Sequence, residues 1–145
     1  MSTINVRMMR EEDAQAIKEI GNQILHTRQR DYWSIKAQSD RARCPVPPYV
    51  AEADGRIIGF IMGDANEGEY GMPGLIGWID AIGVHPEYQR QGVARMLVET
   101  MTAFMHKVGV TKVYTLVNWR DAEMLQFFDK LGFAPGDMIN LELQV

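Results

Sequence analysis

The sequence has little cysteine, no long apolar run and no excess of positive charge, and each shortage excludes a class of protein. One cysteine, Cys44, among 145 residues rules out an internal disulfide and favours a reducing compartment. No stretch is apolar over the length that crosses a bilayer. Met1 to Ile4 lacks the basic and apolar regions of a signal peptide. We therefore expect a cytoplasmic protein with no membrane partner.

The net charge and the positions of the histidines argue against two further kinds of ligand, nucleic acids and metal ions. Fifteen lysines and arginines against 19 aspartates and glutamates give a formal net charge of -4, which argues against a nucleic-acid partner. His26, His85 and His106 are scattered without metal-ligand spacing, so we expect no metal. With 46% hydrophobic and 23% charged residues, residues 1–145 have the composition and length of a single folded domain.

The stretch from Trp78 to Met105 is the most informative part of the chain. Its first seven residues are β-rich, and from Val93 onward apolar residues recur at a helical spacing. In the link between this strand and helix, Pro86 ends strand pairing and Gly92 lets the backbone approach a ligand closely. A helix start reached in this way directs free N–H groups and the positive end of the helix dipole at one spot. The pattern therefore predicts an anion site.

The motifs that are absent limit what this anion can be. Neither G-x-G-x-x-G nor G-x-x-x-x-G-K-[ST] occurs, so the dinucleotide and nucleoside triphosphate fingerprints both fail. Residues 89–94 read QRQGVA instead, preceded by V-x-P-x-Y and followed by an amphipathic helix. This resembles the pyrophosphate-binding signature [QR]-x-x-G-x-[GA] of the GNAT superfamily of acyl-CoA-dependent N-acyltransferases. Residues 118–133 are similar to a second region of that family, N-x-x-x-A followed by F-F-D-K-L-G-F, with Phe128 where tyrosine is usual.

The resemblance implies acetyl-CoA as the cosubstrate and places its binding residues. Backbone N–H groups of residues 89–94 would hold the coenzyme A pyrophosphate, and residues 82–84 would pair with the amide groups of the pantetheine arm. The Arg90 side chain could equally be a solvated charge. The expected cofactor-binding residues are Ile82, Gly83, Val84, Gln89, Arg90, Gln91, Gly92, Val93, Ala94, Arg95, Asn118 and Phe128.

Asp80 is the candidate general base. Strand alternation without a bulge would put Trp78, Asp80, Ile82 and Val84 on one face, and a carboxylate between Trp78 and Ile82 is unusual unless it is used or paired. Similar enzymes often have an acid here that takes the ammonium proton directly or through water. A structural ion pair is the alternative role. Candidate acceptor contacts are Trp78, Tyr32 and Trp33, the last two being equally compatible with packing of a helix on the sheet.

The rest of the chain predicts an α/β fold. Ile4 to Met8 reads as a first strand, residues 26–43 as a helix after the first helix, Asp54-Gly55 as a hairpin turn, and Asp137 to Val145 as a last strand. A helix between two buried strands implies a parallel pair. The expected GNAT-like mixed sheet is antiparallel through strands 1 to 4 and parallel between strands 4 and 5, and the resemblance implies that these two splay apart.

The predicted function is transfer of an acetyl group from acetyl-CoA to a primary amine by direct attack on the thioester. The amine could belong to a small molecule, a protein N-terminus or a lysine. The alternative is a non-catalytic acyl-CoA-binding or sensory domain, because phenylalanine at position 128 lacks the hydroxyl of tyrosine. A homodimer is expected, since many similar proteins are dimers and Val145 ends a strand with an exposed edge.

Overall fold

The computed structural model of the chain describes residues 3–25, 46–68 and 71–145. Several predictions fall on the other residues. The predicted helix over residues 26–43, with Tyr32 and Trp33, and the single Cys44 lie outside the described residues.

Five strands form one mixed sheet, in which their spatial order is their order in the sequence. The first four pair antiparallel, and the fourth and fifth pair parallel, so the predicted fold class is confirmed. The Asp54-Gly55 turn has φ angles of 53° and 74°, the conformation that favours an Asp-Gly pair in a two-residue hairpin. The strands are β1 (Asn5–Met8), β2 (Tyr49–Ala53), β3 (Arg56–Glu67), β4 (Leu75–Val84) and β5 (Val110–Thr115).

The helices are α1 (Ala14–Leu25), α2 (Val93–Lys107) and α3 (Ala122–Lys130). Two of these helices, α1 and α2, flank the sheet, and their apolar faces form the core. Ile17 and Ile20 of α1 pack in a buried cluster with Val50, Phe60 and Met62. The buried residues of α2 are Val93, Leu97, Val98, Met101 and Met105.

Two glycines let α2 lie close to the strands. A Cβ at Gly59 of β3 would meet side-chain carbons of Val93 and Leu97 at 3.2 Å. A Cβ at Gly77 of β4 would come within 2.8 Å of the Met105 sulfur. Side chains at these two positions would push the helix outward, because interiors are close-packed. The small residues of β3 and β4 thus set the height of α2 above the sheet.

The chain divides into two compact units, Met1–Thr115 and Leu116–Val145. In the second unit, the Asp121 carboxylate accepts a hydrogen bond from the Met124 N–H at 3.1 Å and so caps α3. The prediction of a strand from Asp137 to Val145 is wrong, since the structure has no strand there. A strand exists through its ladder of hydrogen bonds, and no described strand pairs with these residues. The prediction of one domain over residues 1–145 stays a prediction.

Candidate active site

The carboxyl-terminal half of β4 has a neighbour on one side only among the described strands. Pairing with β5 ends where Ile79 faces Thr115, and the Thr115 hydroxyl donates to the Ile79 carbonyl at 3.0 Å. From there to Val84, β4 pairs with β3 alone. β5 itself ends at Thr115, which leaves the edge of β4 beyond Ile79 open among the described strands.

Two residues of this edge direct their backbone groups away from β3. The His85 N–H donates to the Ile58 carbonyl of β3 at 2.7 Å. Because bonding residues alternate in an antiparallel ladder, Gly83 also directs its N–H and C=O toward β3, whereas Ile82 and Val84 direct theirs outward. An extended amide chain could therefore pair with Ile82 and Val84, and Gly83 would serve as the spacer between them.

The loop after β4 turns sharply before α2 begins. A 3-10 turn spans Pro86–Tyr88, and the Gln89 side-chain amide donates to the Val84 carbonyl at 3.1 Å. Arg90 and Gly92 have φ angles of 65° and 83°, in the left-handed region that favours glycine. The Gln89 side chain thus holds the loop against β4. Its hydrogen bond uses the Val84 carbonyl, so at Val84 the N–H is the backbone group left for a ligand.

The start of α2 presents backbone donors to an open space. Gly92 is the N-cap without a side-chain cap, and its carbonyl accepts the first helical hydrogen bond from the Met96 N–H at 3.0 Å. The first N–H groups of a helix have no intrahelical acceptor, and they coincide with the positive end of the dipole. A Cβ built at Gly92 would meet nothing within 4 Å. An anionic group such as a diphosphate fits this position.

The side chains of the predicted loop residues are not equivalent. The side chain of Val93, the first residue of α2, is buried against β3, so only its backbone N–H is available to a ligand. Arg95 pairs along the helix with Glu99, its Nε lying 3.6 Å from Oε2. Gln91 is exposed, as is Arg90, and Ala94 is half-buried. Residues 82–84 and 89–95 thus lie in one continuous segment, in which the side chains of Val93 and Arg95 already have contacts within the protein.

Long-range contacts that the sequence did not predict fasten this loop to the β2–β3 turn. The Tyr88 hydroxyl donates to the Asp54 carboxylate at 3.3 Å, and Arg56 lies 3.6 Å from the Glu87 carboxylate. An Arg56 nitrogen also lies 3.1 Å from Nε2 of His85. About 30 residues separate the partners, so no local pattern signals these contacts. They hold the loop against the β2–β3 hairpin.

Asp80 is the extra residue of a β-bulge, and the predicted alternation around it is wrong. Ile79 faces Gly63 and Ala81 faces Met62, so no residue of β3 lies opposite Asp80. A bulge shifts the alternation by one residue. Trp78 therefore shares a face with Ala81 and Gly83, whereas Ile79 shares the other face with Ile82 and Val84. Asp80 is exposed instead of being enclosed by Trp78 and Ile82.

Gly63 is the residue that makes room for this bulge. A Cβ at position 63 would overlap the Trp78 carbonyl oxygen and would also lie 3.0 Å from the Met101 sulfur. The backbone of β4 therefore comes too close to β3 here for any other residue. A lone glycine inside a strand pattern is itself a signal for a bulge or a close approach of backbone. That signal was present in the sequence at Gly63.

An aromatic pair lies beside Asp80 in the chain. The Trp78 ring, which is half-buried, has its centroid 5.3 Å from that of Tyr114 on β5. The Tyr114 hydroxyl donates to the Met72 sulfur at 3.2 Å. Of the three aromatic residues predicted to contact the acceptor, Trp78 is the one that the described part of the chain includes.

Two predicted cofactor residues belong to the second unit and have local structural partners there. The Asn118 side-chain oxygen accepts from the Arg120 N–H at 2.9 Å, and its carbonyl accepts from the Asp121 N–H at 2.8 Å. This forms the turn that precedes α3. The Phe128 ring is buried, with ring centroids of Phe127 and Phe133 each 5.0 Å away. The roles of Asn118 and Phe128 toward a cofactor stay predictions.

The residues that the structure describes contain neither a metal-binding cluster nor a membrane-spanning helix. No group of three or more histidine, cysteine, aspartate or glutamate side chains is placed to hold a metal ion. Within the same residues, every helix is too short or too polar to cross a membrane.

Comparisons with known proteins show the family to which the chain belongs. The sequence profile of the acetyltransferase (GNAT) family matches residues 8–133, and the chain therefore belongs to this family. A curated acetyltransferase of Pectobacterium atrosepticum is 28% identical over 92 residues. That match covers 63% of this chain and spans 60% of the length of the relative.

Solved structures show the same fold at low identity. Aminoglycoside N-acetyltransferase AAC(6')-Iy in complex with CoA aligns with a TM-score of 0.85 and 16% identity, over 99% of this chain and 96% of that one. A transcriptional regulator from Bacillus halodurans C-125 aligns with a TM-score of 0.83 and 15% identity, over 99% of this chain and the whole of the other. The predicted family and fold are confirmed.

Proposed function

We propose that this protein transfers an acetyl group from acetyl-CoA to a primary amine. One observation carries the proposal: the segment from Ile82 to Arg95 joins an open strand edge to an uncapped helix start. Acyl-CoA has the matching parts, an arm with two amides next to a diphosphate. Membership of the acetyltransferase (GNAT) family and the fold shared with a CoA-bound aminoglycoside N-acetyltransferase support it.

The reaction asks little of the protein beyond positioning and proton transfer. The amine nitrogen attacks the thioester carbonyl carbon, the C–S bond breaks, and coenzyme A leaves as a thiolate while nitrogen loses a proton. A thioester is already activated, so the protein must supply a neutral amine, align it and stabilise the oxyanion. Outward N–H groups of β4 beyond the end of β5 pairing are available donors for this purpose.

Asp80 is the residue we assign as general base. It is the exposed extra residue of the bulge, at the point where β5 pairing has just ended. An exposed carboxylate in this position can take the ammonium proton through a bridging water or directly. Its short side chain favours the bridging water. Asn118 and Phe128 are proposed to line the cofactor, and Tyr32, Trp33 and Trp78 to contact the acceptor.

Protonation of the departing thiolate is assigned to water. Phe128 has a buried ring without a polar atom, so it cannot donate. A thiol pKa of about 8.5, as for cysteine, makes the thiolate a tolerable leaving group near neutral pH. Tyr114 is the alternative donor, because among the described residues its hydroxyl donates to the sulfur of Met72, which is a weak acceptor.

The acceptor is proposed at the level of its class, a primary amine of a small molecule, a protein N-terminus or a lysine. Location in the cytoplasm, the absence of a nucleic-acid or membrane partner, and the homodimer belong to the same proposal. The net charge of -4 supports the exclusion of nucleic acid.

A non-catalytic acyl-CoA-binding or sensory domain is the second candidate function. Phe128 in place of a tyrosine favours it, and a protein named as a transcriptional regulator shares the fold. In this reading the open edge of β4 and the start of α2 bind the acyl-CoA, and Asp80 has no role in proton transfer.

One assay separates the two functions. The protein is incubated with acetyl-CoA and a panel of amines that includes aminoglycosides, free amino acids and peptides with free N-termini or lysines, and thiol release is followed. We expect amine-dependent release and an acetylated product detected by mass spectrometry. Binding of acetyl-CoA by calorimetry with no turnover on any amine class would favour the sensory domain. Absence of binding would overturn both functions.

A further inference from the structure

The His85 ring contacts two groups that can only donate hydrogen bonds. His85 is the N-cap of the 3-10 turn over Pro86–Tyr88, and the Glu87 N–H donates to its Nδ1 at 3.1 Å. Its Nε2 lies 3.1 Å from a guanidinium nitrogen of Arg56 on β3. A backbone N–H and a guanidinium have no lone pair to offer, so each hydrogen bond needs an unprotonated ring nitrogen.

The charge of the ring therefore decides whether these contacts can form. A neutral imidazole has one N–H and one lone pair, so either tautomer can accept one of the two hydrogen bonds. A protonated imidazole has two N–H groups and no lone pair. It would lose the hydrogen bond from Glu87 and would put a positive charge 3.1 Å from the guanidinium of Arg56. Protonation of His85 works against both contacts.

The other charged and titratable groups around His85 do not reverse this effect. The Glu87 carboxylate lies 3.6 Å from Arg56 and is 71% exposed, so it is already paired and its charge is screened by water. The Tyr88 ring lies edge-on to His85, with centroids 6.0 Å apart, and its hydroxyl donates to the Asp54 carboxylate at 3.3 Å. Among these groups, the positive charge of Arg56 lies within hydrogen-bond distance of the ring.

The turn that His85 caps leads directly into the backbone donors at the start of α2. After the turn, the Gln89 side chain bonds to the Val84 carbonyl, and Arg90 and Gly92 have left-handed φ angles. N–H groups that point at one anion in this way depend on the position of the turn before them. Exposed ion pairs contribute little to holding that turn, whereas His85 is half-buried and bonds to its backbone.

We propose that uncharged His85 positions this loop for acetyl-CoA, and that a proton on its ring loosens the turn and lowers the affinity for the cosubstrate. This role rests on the proposed function, which names acetyl-CoA as the ligand of the loop. Histidine side chains ordinarily gain their proton between about pH 8 and pH 5, so acidification over that range should weaken binding. A positive charge near a diphosphate would by itself strengthen binding. The direction of the effect thus separates positioning from attraction of charge.

Calorimetry of acetyl-CoA binding between about pH 8 and pH 5.5 measures the effect. His85→Asn is the informative variant, because asparagine does not titrate and can accept from the N–H two residues later, as in an Asx turn. We expect the wild-type Kd to rise on acidification at least about fivefold more than that of His85→Asn, the lower end of the usual coupling between two ligands. Protonation of the phosphates of acetyl-CoA affects both proteins equally. His106→Gln, which removes an exposed histidine elsewhere, should titrate like the wild type.

A further variant, His85→Phe, keeps a ring and removes the acceptor. It should bind acetyl-CoA at least about fivefold more weakly than His85→Asn at the alkaline end of the range, because asparagine restores the hydrogen bond to the turn. Circular dichroism checks that both variants are folded. The same pH dependence in the wild type and in His85→Asn, or tighter wild-type binding on acidification, overturns the proposal.

NMR without acetyl-CoA tests the loop by itself. As the pH is lowered, the backbone amide signals of Glu87 and Tyr88 should shift with the same midpoint as the ring signals of His85. In His85→Asn these amide signals should stay in place over the same range. Amide signals that do not follow the His85 ring overturn the proposal. A wild-type protein that binds no acetyl-CoA even at the alkaline end contradicts the proposed function, whereas the NMR titration still decides the role of His85.

Discussion

Asp80 gives the sharpest test of the proposed chemistry at the scale of a single residue. Asp80→Asn keeps the size of the side chain and removes its capacity to take a proton. We expect kcat to fall by about 10² to 10⁴, because general-base catalysis contributes on that order, while the acetyl-CoA Kd measured by calorimetry stays the same. Glu67→Gln, which neutralises another exposed carboxylate, is the control and should be active. Full activity of Asp80→Asn would remove this residue from the mechanism.

Gly92 tests the anion site, and the chain offers a matched pair of variants. Aspartate and asparagine have the same shape, and both tolerate a left-handed φ such as the 83° found here better than other side chains do. We expect Gly92→Asp to weaken acetyl-CoA binding at least tenfold relative to Gly92→Asn, about 1.4 kcal/mol, because it puts a negative charge beside the diphosphate. Calorimetry on both variants measures this. Equal affinities would mean that the diphosphate binds elsewhere.

The bulge in β4 can be tested at the scale of the element through Gly63. A methyl group at position 63 overlaps the Trp78 carbonyl, so the two strands must separate or the bulge must move. We expect Gly63→Ala to cost about 1 to 3 kcal/mol of unfolding free energy and to lower kcat as well, since Asp80 depends on the bulge. Gly77→Ala adds its methyl group beside Met105 and Val110, so any displacement of α2 falls at the end of the helix far from Gly92. That control should lose stability while its kcat stays near wild type.

What could be predicted from the sequence at this scale depends on how local each signal is. The strand, loop and helix from Trp78 to Met105 were predictable because the glycine, the proline and the helical spacing all act within a few residues. The face of the sheet on which Asp80 lies was not predictable, because the bulge depends on the close approach of β3 at Gly63. The far end of β3, from Asp64 to Glu67, is likewise defined by pairing, since it pairs with the start of β4 at residues 75–78. The predicted C-terminal strand is absent because no described strand pairs with residues 137–145, which a local pattern cannot show.

At the scale of the whole molecule, an ion pair joins β1 to the turn that precedes α1 and to β2. Two nitrogens of the Arg7 guanidinium donate to the Asp13 carboxylate at 2.9 and 3.1 Å, and Arg7 Nε lies 3.2 Å from Glu52 of β2. Burial alone would raise the pKa of Asp13, but hydrogen bonds from Arg7 and from the Arg10 N–H, at 2.7 Å, outweigh it and lower that pKa. The hydrogen bond to Asp13 likewise raises the pKa of Arg7. Asp13 is 4% exposed, so the charge stays in the fold only because it is paired.

This pair makes stability depend on pH in a defined direction. A folded-state pKa below the ordinary value of 3.8 means that the ionised Asp13 contributes its full stability above that pH and loses it as the pH falls further. Asp13→Asn should therefore cost about 3 kcal/mol at pH 7, and urea unfolding should show the gap from wild type narrowing below about pH 4. Glu52→Gln, whose carboxylate is 34% exposed, should cost about 1 kcal/mol or less at pH 7. A gap for Asp13→Asn that stays constant down to about pH 3 would show that the Asp13 charge does not stabilise the fold.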